Sequence, residues 1–484
     1  MDVRVSPKTT SIPRSSLPLP LGERNWSSFV LGTVCTSTGV ATWAFVIGGS
    51  AALYLNARMG LIAMVAGALI GQLLVTLATT PVSTKFGIET TVSTKPQLGV
   101  RGIYIGLFLM LFNAIGWNTV LMIFFGRAVA SVLDIFGLIG DSSRYTVSVV
   151  SSVAGLILIG VLVTRGTRSL SKTGPVIAGS IVLLAAWLVY ILLRTHGVSG
   201  VADAAPLEPH DNRLLNYTLV VEMLIAGTFG WWGYMGGIVR MVSGARKAIL
   251  PTMLGLGAAW AVVAAVSLFG ALVTGEPDPT VWVPEIAGQV GAVIVLIFIS
   301  FANLGSTLVG VYVSTLAVKQ TQSLGRSLSW GRTVALVLAP MLFILIFIPN
   351  MIFDNVPIFM AFLGMITGPM VGVQIADWFI LRRRAHMSVS SLYLPGRASN
   401  YWYLRGFNPA GVLALIAGSS TYMLIMNPYT LIPNSPIFAY TTASIPAVLM
   451  GGTVYVLASR AMWRLFPHTH TQYQNHRQFD VEAS

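Results

Sequence analysis

Residues 227–237 of this 484-residue chain read Gly-Thr-Phe-Gly-Trp-Trp-Gly-Tyr-Met-Gly-Gly, inside an otherwise apolar segment. Five apolar segments earlier, residues 35–39 read Cys-Thr-Ser-Thr-Gly, followed by the pair Gly48-Gly49. Glycine weakens a helix by about 1 kcal/mol relative to alanine, and hydroxyl groups can bond the freed backbone. Two such segments at corresponding positions of two five-helix halves predict broken helices around the central site of a transporter. Close helix packing through small residues is the alternative explanation.

The overall composition places these segments in a membrane. Hydrophobic residues make up 55% of the chain and charged residues only 9%, with a mean hydropathy of +0.76. Soluble domains carry about 25% charged residues, so a soluble enzyme, a disordered chain and a coiled coil are excluded. A window of ~20 apolar residues predicts twelve spans, at 28–54, 59–82, 102–133, 146–164, 174–193, 216–239, 249–274, 286–318, 331–349, 356–381, 408–427 and 436–459.

The net charge of +13 fits either nucleic-acid binding or a membrane protein with basic cytoplasmic loops, and the positions of the charges decide between them. Of the 29 Lys and Arg residues, 24 lie in the tails and loops on one side, which we call the basic side. The positive-inside rule predicts that this side is cytoplasmic. We therefore expect a multi-pass protein of the plasma or inner membrane, with cytoplasmic tails at 1–25 and 462–484 and one transporter domain at 26–461. A nucleic-acid partner is excluded, and no obligate protein partner is evident.

Ionisable residues are rare within the predicted spans, and they form no catalytic triad, metal cluster or phosphate loop, so the sequence does not predict an enzyme. Glu222 is a candidate for proton coupling, because an acid in a span is costly and often functional. A structural role near the outer end of its helix is the simpler explanation. Arg127 can snorkel from a helix end, and Asp377 can pair with the arginines at 382–384.

Uncharged residues supply the other candidates. Trp117 and Trp231 lie near mid-depth, away from the interface where tryptophan usually anchors a helix. Two such rings suit a flat aromatic or amide-bearing cargo held by stacking. Asn118 and Trp232 adjoin them, with helix packing as the alternative role for Trp232.

Span 8 carries a second polar group, which comprises Asn303, Ser306, Thr307 and Tyr312. The Ser306 and Thr307 hydroxyls, together with carbonyls freed by a break in span 1, suit a monovalent cation. Hydroxyl residues also join helices to each other, so this pattern alone is weak. The sequence predicts no cofactor and no metal beyond a transported Na⁺.

Several loop motifs are similar to those of the nucleobase:cation symporter 1 family, which includes purine/cytosine permeases, allantoin permeases and a hydantoin transporter. These motifs are Phe86-Gly-Ile-Glu, Lys95-Pro-Gln-Leu-Gly-Val-Arg-Gly, Gly368-Pro-Met-Val-Gly, Ala376-Asp-Trp-Phe-Ile-Leu-Arg-Arg-Arg, Ser391-Leu-Tyr and Asn400-Tyr-Trp-Tyr-Leu-Arg-Gly-Phe-Asn. The segment from helix 10 to helix 11 is the specific part. The resemblance implies two inverted five-helix repeats, helices 1–5 and 6–10 with helices 1 and 6 broken, plus two extra helices and alternating access.

The resemblance also implies site residues. Family substrates stack between tryptophans of helices 3 and 6, which correspond to Trp117 and Trp231. The family's sodium site uses helix-1 carbonyls and a Ser/Thr-Thr pair of helix 8, which correspond by offset to Ser37 and Val40, to Ser306 and Thr307, and to the Asn303 carbonyl.

Two positions depart from the family pattern. Leu121 stands where the hydantoin-type member has an amide in helix 3. Tyr312 stands at the substrate-binding asparagine if Ser306-Thr307 is the cation pair, whereas a second alignment places Asn303 there. The hydantoin substrate is therefore not carried over, and both Na⁺ and H⁺ remain open.

The leading hypothesis is cation-coupled uptake of a nucleobase or related heterocycle by alternating access. An amino-acid or amine permease of the same fold is the first alternative, and a receptor or structural membrane protein is the second.

Overall fold

A computed structural model of the chain describes residues 17–40, 42–165, 170–319, 321, 324–382 and 387–465. Within these ranges the protein is helical, and its β-structure is limited to two isolated bridges. The long elements are α1 (Ser28–Gly39), α2 (Trp43–Ala52), α3 (Ala57–Phe86), α4 (Ile103–Ile135), α5 (Asp141–Arg165), α6 (Leu170–Ala202), α7 (Arg213–Thr228), α8 (Trp232–Val239), α9 (Arg246–Thr274), α10 (Pro279–Lys319), α11 (Trp330–Phe347), α12 (Val356–Leu381), α13 (Pro409–Ile425) and α14 (Ser444–Leu465). Short helical turns lie at Leu21–Glu23, Thr90–Ser93, Lys95–Leu98, Leu324–Ser327, Pro349–Phe353, Val389–Tyr393, Gly396–Ala398 and Phe438–Thr441.

Within the described residues, ten helices are long and apolar enough to cross a membrane, or eleven if the bent pair α1–α2 counts as one span. The protein is an integral membrane protein. Every predicted span overlaps a helix, but the predicted number of twelve is not confirmed, because α13 has only 17 residues. Its start is fixed by Asn408, whose side chain accepts a hydrogen bond from the Ala410 amide at 3.1 Å, and by Pro409 at the first helical position.

The predicted tails lie largely outside the described residues, which exclude 1–16 and 466–484. At the C-terminal end, α14 continues to Leu465, beyond the predicted domain limit at 461. Two of the three arginines proposed to pair with Asp377, at 383 and 384, also lie outside the described residues.

The first predicted break is present, since α1 and α2 differ in direction by 61°. The glycines of this segment also explain how it packs. A Cβ atom at Gly39 would overlap the Gly255 carbonyl, and one at Gly48 would overlap the Ala264 carbonyl. Close packing onto α9 therefore accounts for these glycines in addition to the break.

The second predicted break is milder than the sequence suggested. Residues Phe229–Trp231 form one turn of 3₁₀ helix, and α7 and α8 continue as a single span, Arg213–Val239. The backbone keeps right-handed helical angles through this turn. Asn113 of α4 donates from Nδ2 to the Gly230 carbonyl at 2.7 Å, which supplies that carbonyl with a partner from another helix.

The helices pack in two groups, each of which combines helices from both expected repeats. In the first group, α2 packs on α9, α3 packs on α7, and α1 contacts the start of α9. In the second group, α4 packs along α5 and α10, and α11 packs on α5. Helices α12 and α13 both pack on α14. A cavity lies between the first and second groups, at the break between α1 and α2.

Candidate functional site

A cavity of about 470 Å³ lies between α1, α2, α4, the 3₁₀ turn before α8, and α10. Six of the residues singled out from the sequence line it, namely Ser37, Trp117, Asn118, Leu121, Trp231 and Ser306. The cavity extends to Glu89 and Arg240, which follow α3 and α8 on the basic side. These two side chains form an ion pair at 3.0 Å. The described lining is otherwise uncharged.

A third tryptophan, Trp43, joins the two predicted ones. Its ring centroid lies 5.0 Å from that of Trp117 and 5.4 Å from that of Trp231. On its far side it lies 5.0 Å from Trp260. Trp43 was not predicted from the sequence, although its position directly after the helix break was a usable signal.

The polar groups around Trp117 and Trp231 include a donor and an acceptor without partners among the described residues. These atoms are Trp231 Nε1 and Asn113 Oδ1, both buried. A side chain at Gly230 would clash with Asn113 Oδ1 and Trp117 Nε1, since each of these atoms lies 2.9 Å from the position that a Cβ atom would take. The tryptophan of α4 is therefore held directly against the 3₁₀ turn.

Asn118 and Leu121 face the cavity from α4. The Asn118 amide donates to the Ala114 carbonyl at 2.6 Å and packs where Gly310 leaves room on α10. Leu121 is nearly fully buried. This part of the wall is therefore formed by one amide and an aliphatic side chain.

Two predicted substrate residues lie elsewhere. Trp232 is fully buried and donates from Nε1 to Gln374 Oε1 at 2.7 Å, so it joins α8 to α12. The helix-packing alternative accounts for it. The Tyr312 ring packs on Trp330 of α11 with centroids 5.8 Å apart, and it is not among the lining residues. Its position on α10 turns it away from Ser306 and Gly310, which do line the cavity.

The predicted cation residues lie on two segments, the end of α1 and the middle of α10, which approach each other where Thr42 bonds Asn303. Val40 follows α1, and its amide donates to the Thr36 carbonyl at 2.8 Å. The last four carbonyls of a helix lack partners within that helix, so the end of α1 at Gly39 presents oxygen atoms here. Asn303 on α10 is fully buried and accepts a hydrogen bond from Thr42, inside the break.

Thr307 lies one helical turn beyond Asn303, on the same face of α10. It is fully buried, and its hydroxyl lacks a partner among the described residues. Ser306, the adjacent residue, faces the cavity, since consecutive residues of a helix point in different directions. Ser37 also lines the cavity, and its hydroxyl donates to the Val34 carbonyl at 2.9 Å.

Glu222 has a complete set of structural partners. One carboxylate oxygen accepts from the amides of Ala443 and Ser444 at 3.0 Å each, and the other accepts from the Ser444 hydroxyl at 2.6 Å. Glu222 therefore caps the start of α14, where the helix dipole favours negative charge. It is not among the residues that line the cavity.

The other two ionisable residues also have partners. Asp377 accepts from Gln97 and Arg382 at 2.6 Å each, and from Tyr455 at 3.0 Å. The predicted pairing with Arg382 is present.

Arg127 reaches loop carboxylates at the end of its helix opposite the basic side: it lies 2.6 Å from Asp278 and 2.9 Å from Asp354. Asp278 directly precedes α10, so the first pair joins α4 to α10 within the second group, and Asp354 lies in the turn before α12.

A broken first helix, two packed helix groups and a cavity between them at the break define a membrane transporter of the inverted-repeat fold. The sequence matches the family of permeases for cytosine/purines, uracil, thiamine and allantoin over residues 18–441. The chain belongs to this family, and the resemblance predicted from the loop motifs is confirmed.

Solved structures agree on the fold. Mhp1 in an inward-facing conformation superimposes with a TM-score of 0.78, at 16% identity over 96% of this chain and 97% of that chain. Mhp1, a nucleobase-cation-symport-1 family transporter, also matches in a closed conformation with bromovinylhydantoin bound, with a TM-score of 0.75 at 16% identity over 96% and 99% of the two chains. A Na⁺-coupled sialic acid symporter in a substrate-bound, outward-open state matches with a TM-score of 0.54 at 13% identity, over 90% and 91%. A search of curated proteins gives no match.

Proposed function

We propose that this permease is a symporter that carries a small, uncharged, flat heterocycle into the cell together with Na⁺ by alternating access. The observation that carries this proposal is the cavity at the helix break, which is lined by tryptophans. The charged residues among its described lining are Glu89 and Arg240, and they pair with each other. A nucleobase or a related pyrimidine, purine, allantoin or hydantoin-type ring fits this lining.

The polar groups of the walls support an amide-bearing ring. Trp231 Nε1 is a buried donor without a partner in the described part of the chain, so it can donate to a cargo carbonyl. The amide of Asn118 and the hydroxyl of Ser306 lie on the same cavity. Stacking on Trp117 supplies area, and these groups fix the orientation of the ring.

An amino-acid or amine cargo is less well supported. A carboxylate or ammonium group needs an opposite charge or a helix N-terminus in the cavity. Glu89 and Arg240 already neutralise each other, and Glu222 accepts three hydrogen bonds at the start of α14.

The cation proposal rests on oxygen atoms rather than on carboxylates. The proposed ligands are the C-terminal carbonyls of α1 around Ser37 and Val40, the Thr307 hydroxyl, which has no partner among the described residues, and the oxygen atoms of Asn303 and Ser306. The bond from Thr42 to Asn303, which joins the break to α10, supports this set. Neutral oxygen ligands of this kind suit a hard monovalent ion such as Na⁺. Proton coupling has less support, because Glu222 is engaged at α14.

We also propose that the basic side is cytoplasmic, in line with the positive-inside rule. The cavity then extends towards the cytoplasm, where Glu89 and Arg240 line it. The conformation described here is accordingly inward-facing, with both termini in the cytoplasm.

Equilibrium binding to the purified protein tests this proposal. Radiolabelled uracil, cytosine, hypoxanthine, allantoin, hydantoin and amino acids are compared with and without Na⁺. We expect saturable binding of at least one heterocycle, tightened by Na⁺ because linkage is reciprocal, and its loss in Trp117→Ala. Trp187→Ala, on α6 outside the cavity, serves as the control. Binding of amino acids alone would overturn the proposal.

A further inference from the structure

The space between the two proposed stacking rings is already filled by Trp43. Its ring is tilted by 48° against Trp117 and by 57° against Trp231, at centroid distances of 5.0 and 5.4 Å. Stacked aromatic rings need centroid separations of about 4.5–7 Å. A flat cargo therefore cannot stack on both Trp117 and Trp231 while Trp43 keeps this position.

Trp43 is also placed where it can move. It is the first residue of α2, directly after the break at which α1 and α2 differ in direction by 61°. It lines the cavity, yet it also contacts Trp260 of α9 at 5.0 Å on its other side. A small rotation at the break would withdraw the indole from Trp117 and Trp231 while the contact with Trp260 keeps it buried.

The same segment is tied to the proposed cation ligands. Thr42, the residue before Trp43, donates its hydroxyl to the side chain of Asn303. Asn303 and the unpartnered Thr307 share a face of α10. A cation that binds to the side-chain oxygen of Asn303 would compete with the Thr42 hydroxyl for that atom. Release of Thr42 would free the adjacent residue, Trp43, to move.

We propose that Trp43 is a specificity-determining residue that occupies the cargo slot in the conformation described here, and that cargo must displace it. This inference rests on the proposed function, in which a ring binds between Trp117 and Trp231. Trp43 then lowers the affinity for every cargo and limits the size of the ring that the slot accepts.

Binding to Trp43→Ala tests the displacement. We expect the dissociation constant of the wild-type cargo to fall by about tenfold, since one stacking contact with Trp117 or Trp231 need no longer be broken. We also expect larger, two-ring cargos to bind. Trp43→Phe should lie between wild type and Trp43→Ala, and it covers the case in which the alanine variant does not fold. Phe45→Ala, on the same helix but away from the cavity lining, should leave the constant unchanged.

A second readout follows Trp43 itself. In protein labelled with 5-fluorotryptophan, the ¹⁹F resonance absent from Trp43→Phe should shift when cargo binds. Weaker binding to a folded Trp43→Ala, or an unmoved Trp43 resonance in wild-type protein with bound cargo, would overturn the displacement and leave the proposed function intact. Absence of heterocycle binding to the wild type would overturn both.

Discussion

Replacing Arg127 by glutamine should destabilise the second helix group at the end opposite the basic residues. Arg127 belongs to α4, and Asp278 directly precedes α10, where its side chain accepts hydrogen bonds from the Thr280 amide and hydroxyl at 2.8 Å each. Their ion pair at 2.6 Å therefore joins two helices of the same group. Alternating access moves whole helix groups against each other, so this contact should persist in both conformations and contribute to stability.

The magnitude follows from burial. Arg127 and Asp278 are 21% and 13% exposed, and a hydrogen bond between charged groups in such a setting contributes about 1.5–3 kcal/mol. Asp354 is 56% exposed, so its pair with Arg127 contributes about 0.5 kcal/mol. Glutamine can retain one hydrogen bond, so the free energy of unfolding should fall by about 2 kcal/mol. Chemical unfolding of the purified protein measures this loss.

Cysteine labelling tests whether the contact also controls which side of the cavity is open. The single cysteine of the chain, Cys35, is buried and can be replaced by serine. A reporter cysteine at Leu121, which lines the cavity, is then labelled with a membrane-impermeant maleimide from each side of oriented vesicles. In Arg127→Gln, the labelling rate from the side opposite the basic residues should stay within about twofold of the parent's, because the stronger of the two ion pairs lies within the second helix group.

Arg144→Gln is the matched control, because Arg144 lies 3.7 Å from Asp134 and both side chains are about a third exposed. An exposed pair of this kind contributes little, so the control should unfold as the parent protein does. A free energy of unfolding of Arg127→Gln equal to the parent's would refute the role of the ion pair. Equal losses in both variants would show that a general change in charge is responsible.

Three further predictions concern other residues. Glu222→Gln should lower the free energy of unfolding by about 2 kcal/mol, because an amide replaces a carboxylate that caps α14. The pH dependence of uptake should stay unchanged. A stable variant with altered pH dependence would instead make Glu222 a coupling residue. Burial lowers the pKa of Lys95, on the basic side, from 10.5 to about 8. Between these two pH values the unfolded chain keeps the Lys95 proton and the folded protein does not, so the thermal unfolding midpoint should rise from about pH 8 to 10.5. Lys95→Met should abolish this rise, and an unchanged rise in the variant would show that Lys95 is not its source. Thr307→Val should weaken Na⁺ binding by at least tenfold in isothermal titration. Thr315→Val is the control and should not weaken it, because the Thr315 hydroxyl already donates to a helix carbonyl at 2.8 Å. Equal affinities in the two variants would remove Thr307 from the site.

Much of the fold could be predicted from local properties of the sequence. Every predicted span overlaps a helix because apolar length reports directly on the membrane. The severity of the breaks could not be predicted. The turn at Phe229–Trp231 stays nearly helical, because Asn113, far away in sequence, bonds the Gly230 carbonyl.

The candidate site was predicted where one residue carries the signal and missed where partners come from distant segments. Trp117 and Trp231 were visible as tryptophans at mid-depth. Trp43 acquires its significance only when α2 folds between them. Similarly, the partner of Glu222 is the start of α14, more than 200 positions away, which no spacing rule connects to it.

The most direct test of the account is uptake by proteoliposomes that contain the purified protein, with Na⁺ and pH gradients varied independently. We predict saturable uptake of an uncharged heterocycle that is driven by an inward Na⁺ gradient and lost in Trp117→Ala. Uptake restricted to amino acids, or heterocycle uptake that neither gradient accelerates, would contradict the account.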